Sequence, residues 1–151
     1  MLTSLLTKHQ SIFNTVVPFN AEDDRLLLMD FTKDNKAITA EVIADNAIFS
    51  AYINNQLSKN NSKYGIGGYN EDRTFYSRSK SFDGENGKEP RRLHLGIDIW
   101  GAADTPVFAP VGGMVHSFAY NGDYGDYGAT IILLHQLDGM AFYTLYGHLS
   151  L

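Results

Sequence analysis

A chain of 151 residues, 44% hydrophobic and 19% charged, has ordinary globular composition and enough length for one sizeable core. Its net charge of −5 argues against nucleic acid as a partner, because phosphate binding draws on clustered lysine and arginine, and the basic runs Arg73 to Lys80 and Arg91-Arg92 are short. The absence of cysteine excludes disulfides and thiolate metal sites.

The N-terminal stretch Met1 to Asn20 has no sustained apolar run and no small-residue cleavage pattern, so it does not read as a secretory signal. No stretch is long and apolar enough to suggest a membrane span. All fourteen glycines fall at Gly65 or later, which divides the chain into residues 1–64, read as an extended arm with one helix, and residues 65–151, rich in turn residues. In the first part, Arg25 to Phe31 predicts a buried strand, and Asp34-Asn35 a turn. Asp45 predicts the cap of a helix in which Phe49, Ile53 and Leu57 recur at four-residue intervals, ending in the polar run Ser58 to Lys63.

The second part changes period. Short segments of β-branched and aromatic residues are broken by glycine, proline and aspartate, as in an antiparallel β-rich domain. In the stretch Arg91 to Trp100, alternation places Leu95, Ile97 and Ile99 on an expected core face, with His94, Gly96 and Asp98 opposite. An imidazole and a carboxylate on one side are candidate ligands for a borderline-soft cation such as zinc. Four strand residues span roughly 13 Å, so both side chains reach one ion only if the backbone bends, and Gly96 sits where the bend is needed. An ordinary histidine–carboxylate pair is the alternative reading of His94 and Asp98. Pro106 to Phe118 predicts two strand pieces, Val107 to Ala109 and Met114 to Phe118, around a turn at Pro110 to Gly113, followed by a loop from Asn121 to Gly128. A hairpin follows, from Ala129 to His135 and from Met140 to His148, with Asp138-Gly139 supplying the turn. Phe142, Thr144, Tyr146 and His148 are expected on one face, which displays His148 on a rigid strand. His116 and His135 read as structural, and His9 as solvated. Gly112-Gly113 lacks the Lys-Ser/Thr of a phosphate loop, and Asp123 and Asp126 lack the rest of a calcium loop.

Taken together, His94-x-Gly96-x-Asp98, Thr105-Pro106-Val107-Phe108-Ala109 with Gly113-Met114-Val115, Tyr127-Gly128, and Tyr146-Gly147-His148-Leu149-Ser150 resemble the lysostaphin-type zinc metallopeptidases that cut peptidoglycan peptides. The resemblance covers roughly Gly67 to Leu151. It implies an α+β fold, predominantly antiparallel sheet, with a peptidase β-core preceded by the N-terminal arm and helix. It also implies a zinc metalloendopeptidase acting on amide bonds of bacterial cell-wall peptides, and a place in the cell envelope or periplasm. By the same resemblance His94 and Asp98 are two ligands of one zinc and His148 is catalytic, activating water or stabilising the tetrahedral intermediate. Arg91 and Arg92, beside the motif, are read as solvated or as partners of a substrate carboxylate. Family members continue to a His-x-His pair that supplies the third ligand and a further catalytic histidine; this sequence stops at Leu151, so the site is expected to be incomplete in the chain as given, as in a truncated peptidase. The rival expectation is a non-catalytic peptidase-like domain that binds peptidoglycan or regulates another hydrolase. A weaker third is a sugar-binding β-domain whose aromatic residues act as stacking platforms.

Overall fold

The structure is a computed structural model that describes residues 1–73, 93–123 and 126–151. In chain order its elements are helix α1 (Leu2–Lys8), a 3-10 turn (Gln10–Ile12), strand β1 (Leu26–Leu28), helices α2 (Ala40–Ala44) and α3 (Asn46–Lys59), and strands β2 (Tyr64–Gly67), β3 (Glu71–Asp72), β4 (Leu93–His94), β5 (Asp98–Trp100), β6 (Met114–Asn121), β7 (Gly128–Leu137) and β8 (Met140–Leu149). The class is α+β, and every described strand pair except β1–β2 is antiparallel. The chain divides into two compact units, Asn20–Ala103 and a discontinuous one made of Met1–Phe19 with Asp104–Leu151.

In the unit Asn20–Ala103, β1 pairs in parallel with β2, and β2 pairs antiparallel with β5. Helix α3 starts where Asp45 accepts hydrogen bonds from the Ala47 and Ile48 amides at 2.7 and 3.1 Å, as its cap position predicts. Its repeat at four-residue intervals buries Ile53 and Leu57 in a cluster with Met29, Phe31 and Ile38, against which Phe49 and Trp100 also pack. The predicted strand at Arg25 to Phe31 needs correction. Period two is kept, but it turns Leu27, Met29 and Phe31 toward the core and leaves Leu28 81% exposed; the ladder itself covers three residues. The short helix α2, with Thr39 capping the Val42 amide at 3.3 Å, is an element the sequence reading lacked.

A second correction concerns the core face assigned to Leu95, Ile97 and Ile99. Leu95 and Ile97 are 69% and 59% exposed. The segment is two short strands in different ladders, β4 on β3 and β5 on β2, with the chain bending at Gly96 between them, so no single alternation runs through it.

In the unit formed by Met1–Phe19 and Asp104–Leu151, β6, β7 and β8 form an antiparallel meander. The β7–β8 turn has Asp138 and Gly139 at φ 47° and 81°, the two positive dihedrals of a tight hairpin turn. Residues 107–109 are not a strand. Instead the Phe108 amide donates to the Val16 carbonyl at 2.9 Å and the Asn14 amide to the Pro110 carbonyl at 2.7 Å, so the N-terminal segment runs beside them. The arm also begins with a helix, α1, rather than extended chain. Lys8 Nζ and His9 Nε2 reach Asp138 Oδ2 at 2.5 and 2.9 Å, so His9 is paired rather than merely solvated.

Candidate metal-ligand pair and catalytic histidine

His94 closes β4 and Asp98 opens β5, and the bend between them brings His94 Nε2 to 3.6 Å from Asp98 Oδ1. The straight-strand separation of roughly 13 Å is thus removed by the backbone. Gly96 contributes space: a Cβ there would stand 3.1 Å from His94 Nε2, because the imidazole folds over the glycine. The far side of each side chain is tied back. His94 Nδ1 lies 2.8 Å from the Gly68 carbonyl, a contact that makes Nδ1 the protonated nitrogen and leaves the Nε2 lone pair facing Asp98. Asp98 Oδ2 accepts a hydrogen bond from Arg73 Nη2.

These residues fit two ligands of a zinc ion. At zinc–donor distances of about 2.0–2.2 Å and a tetrahedral angle, two donors stand roughly 3.4 Å apart. The imidazole N–H bonded to a backbone carbonyl is the usual outer arrangement around a zinc-ligating histidine. Among the described residues no group of three histidine, cysteine, aspartate or glutamate side chains gathers around a common point, so the pair supplies two donors.

Gly68 and Arg73 were missed as site residues in the sequence. Gly68 has φ 95°, and a Cβ on it would collide with Arg73 Nη2 and stand 2.7 Å from His94 Nδ1. Asn70, two residues on, also has positive φ, at 54°. A Gly-Gly-x-Asn run is a signal for such a turn, but not for what the turn holds. Arg91 and Arg92 lie outside the described residues.

His148 stands in the other unit, exposed near the end of β8. The β7–β8 register shifts between Ala129 and Ile131, which face Leu149 and Tyr146, so two residues, Gly147 and His148, oppose one. This is a β-bulge, and His148 takes φ 56° within it. The expected shared face therefore ends at Tyr146, because the extra residue breaks the period of two. Left-handed backbone at a histidine is uncommon and costs of order 1–3 kcal/mol; here the His148 amide donating to the Tyr127 carbonyl at 2.6 Å holds it. The Tyr127 ring centroid lies 6.2 Å from that of His148. His135 is 1% exposed, with Nδ1 3.0 Å from the Gly112 carbonyl and Nε2 2.7 Å from Thr144 Oγ1. Both nitrogens are engaged, as a structural histidine requires. His116 is exposed against the edge of Tyr143.

Residues 92–151 match the model of peptidase family M23. The M23 match contains His94, Asp98 and His148 and bears out the resemblance to lysostaphin-type peptidases. It points to a peptidase, and the family is one of metallopeptidases. Comparison with curated proteins and with solved structures gives no match. Among the described residues, no helix is long and apolar enough to cross a membrane.

Proposed function

We propose that residues 65–151 contribute two zinc ligands, His94 and Asp98, to a zinc-dependent endopeptidase that hydrolyses amide bonds in peptidoglycan peptides of the bacterial cell envelope, with the site incomplete in this chain and residues 1–64 as an N-terminal arm and helices. Strand β2, which begins at Tyr64, belongs with the peptidase part because it is the ladder partner of β5 and hence of Asp98. The observation that carries the reading is the His94–Asp98 pair: a nitrogen and an oxygen 3.6 Å apart, each fixed by a bond on its far side.

In this reading His94 and Asp98 hold one zinc, which when bound supplies a Lewis acid for the scissile carbonyl and acidifies water. Gly68 keeps His94 in the tautomer whose Nε2 can bind, and Asp98 contributes the negative charge that attracts the cation. His148 is the proton-transferring group. Its imidazole takes a proton from water or returns one to the leaving amine, a role commonly worth about 10² to 10⁴ in rate. A second reading, a peptidase-like domain that binds peptidoglycan without cutting it, is favoured by the lack of a third gathered ligand among the described residues.

The test is zinc content by elemental analysis together with release of soluble fragments from purified peptidoglycan. His94→Ala and Asp98→Ala are expected to lose zinc, and unchanged stoichiometry in both would end the ligand assignment. His148→Ala is expected to keep zinc and lose turnover. Zinc-loaded wild-type protein that binds peptidoglycan but releases nothing would favour the second reading.

A further inference from the structure

Resting on the reading of Asp98 as a ligand, we infer that Arg73 is a positioning residue for cation binding, held in place by Glu71. Arg73 Nη2 is bonded to Asp98 Oδ2, which leaves Oδ1 as the oxygen toward His94 Nε2. An aspartate without that bond can swing its carboxylate and present either oxygen or neither. Arg73 itself has little freedom. It is 6% exposed, its Nε donates to Glu71 Oε2 at 2.8 Å, its guanidinium carbon lies 5.7 Å from the Phe31 ring centroid and 5.9 Å from that of Trp100, and its backbone is bridged to Thr32. Glu71 is anchored in turn, because its Oε1 accepts the Phe31 amide at 2.9 Å. A continuous line of bonds thus runs from the backbone of a core residue through Glu71 and Arg73 to the Asp98 carboxylate, at the oxygen turned away from His94.

The sign of the effect needs an argument, since a guanidinium beside a cation site repels the cation. Glu71 decides it. The Arg73–Glu71 ion pair carries no net charge, so the repulsion from Arg73 is largely offset by attraction from the carboxylate 2.8 Å from its Nε. What remains is orientation, and partners of ligating groups are typically worth 10-fold to 100-fold in metal affinity. Charge and orientation make opposite predictions for removing Arg73 alone: the bare Glu71 carboxylate would tighten cation binding, whereas a freed Asp98 would loosen it.

The experiment measures zinc affinity of the full chain by chelator competition, with cobalt absorption as a report of ligand geometry. The variants are Arg73→Met, Arg73→Lys and the double change Glu71→Gln with Arg73→Met, which removes the buried Glu71 charge that Arg73→Met leaves unpaired, should the single variant fail to fold. Trp100 fluorescence checks that each is folded. Zinc binding is expected to weaken 10-fold to 100-fold in the folded Met variants, with an altered cobalt spectrum, and Arg73→Lys is expected to recover part of the loss through its own bond to Asp98. Equal or tighter binding in the Met variants overturns the inference while leaving the zinc reading intact. No zinc on the wild-type chain overturns both.

Discussion

Replacing Gly68 with alanine probes the turn on which the His94–Asp98 pair depends. Two costs are written in the structure. The residue sits at φ 95°, where a side chain costs about 1–3 kcal/mol. The new methyl would also collide with Arg73 Nη2 and stand 2.7 Å from His94 Nδ1, closer than carbon and nitrogen approach, so the imidazole must move and its 2.8 Å bond to the Gly68 carbonyl is lost, at about 1 kcal/mol. Stiffening the unfolded chain returns about 0.4–1 kcal/mol. A net loss of about 2–3 kcal/mol is expected. The control is Gly96→Ala, which has no positive φ and whose methyl would meet His94 Nε2 at 3.1 Å, a contact that a few tenths of an ångström of ring movement relieves; its cost should stay below about 1 kcal/mol. Urea unfolding followed by Trp100, the single tryptophan, reports this unit, because Trp100 packs on Phe31 at 4.7 Å between ring centroids. If Gly68→Ala is no less stable than Gly96→Ala, the close-packing argument for the turn is wrong.

Phe31 is fully buried between Phe49 and Trp100, so Phe31→Ala should cost about 3–5 kcal/mol in the same unfolding assay; a loss under 1 kcal/mol would contradict its place at the centre of the core. His135→Ala removes a buried ring stacked on Phe142 together with its bonds to the Gly112 carbonyl and the Thr144 hydroxyl, the latter keeping only Tyr146, an expected loss of about 2–4 kcal/mol, read by circular dichroism of the β6–β8 sheet on heating. Asp138 is held down to about 2 by the hydrogen bonds from Lys8 and then His9. Because the folded value lies below the ordinary 3.8, the stabilising contribution is full above about pH 4 and is lost as pH falls through about 2. Amide-exchange protection of residues 2–8 should follow that course in the wild type and be absent at all pH values in Asp138→Asn, whose asparagine still accepts the left-handed turn; identical protection in the two proteins would refute the anchor.

The parts of this molecule legible in its sequence are those set by neighbours along the chain. Asp45 and the repeat Phe49, Ile53, Leu57 define α3 because cap and helix face are local geometry, and Asp138-Gly139 defines the hairpin because two positive dihedrals have few residues to choose from. His94-x-Gly96-x-Asp98 was readable as a bent pair for the same reason. What was hidden depends on contacts distant in sequence. Arg73 looked like one charge in a basic run until Asp98, 25 residues away, was seen to receive it. Leu95 and Ile97 satisfied an alternation that the bend at Gly96 had already broken. The bulge at His148 arises from pairing with β7, which no pattern within β8 alone encodes.

Because residues 1–19 pack with residues 104–151, this unit has an order of assembly imposed by translation. Lys8 leaves the ribosome 130 residues before its partner Asp138, a wait of roughly 6–26 s at the usual 5–20 residues per second. Before that interval ends the unit Asn20–Ala103 has been made and can complete its own core, while residues 1–19 stay open to any other binder, chaperone or protease that reaches them first.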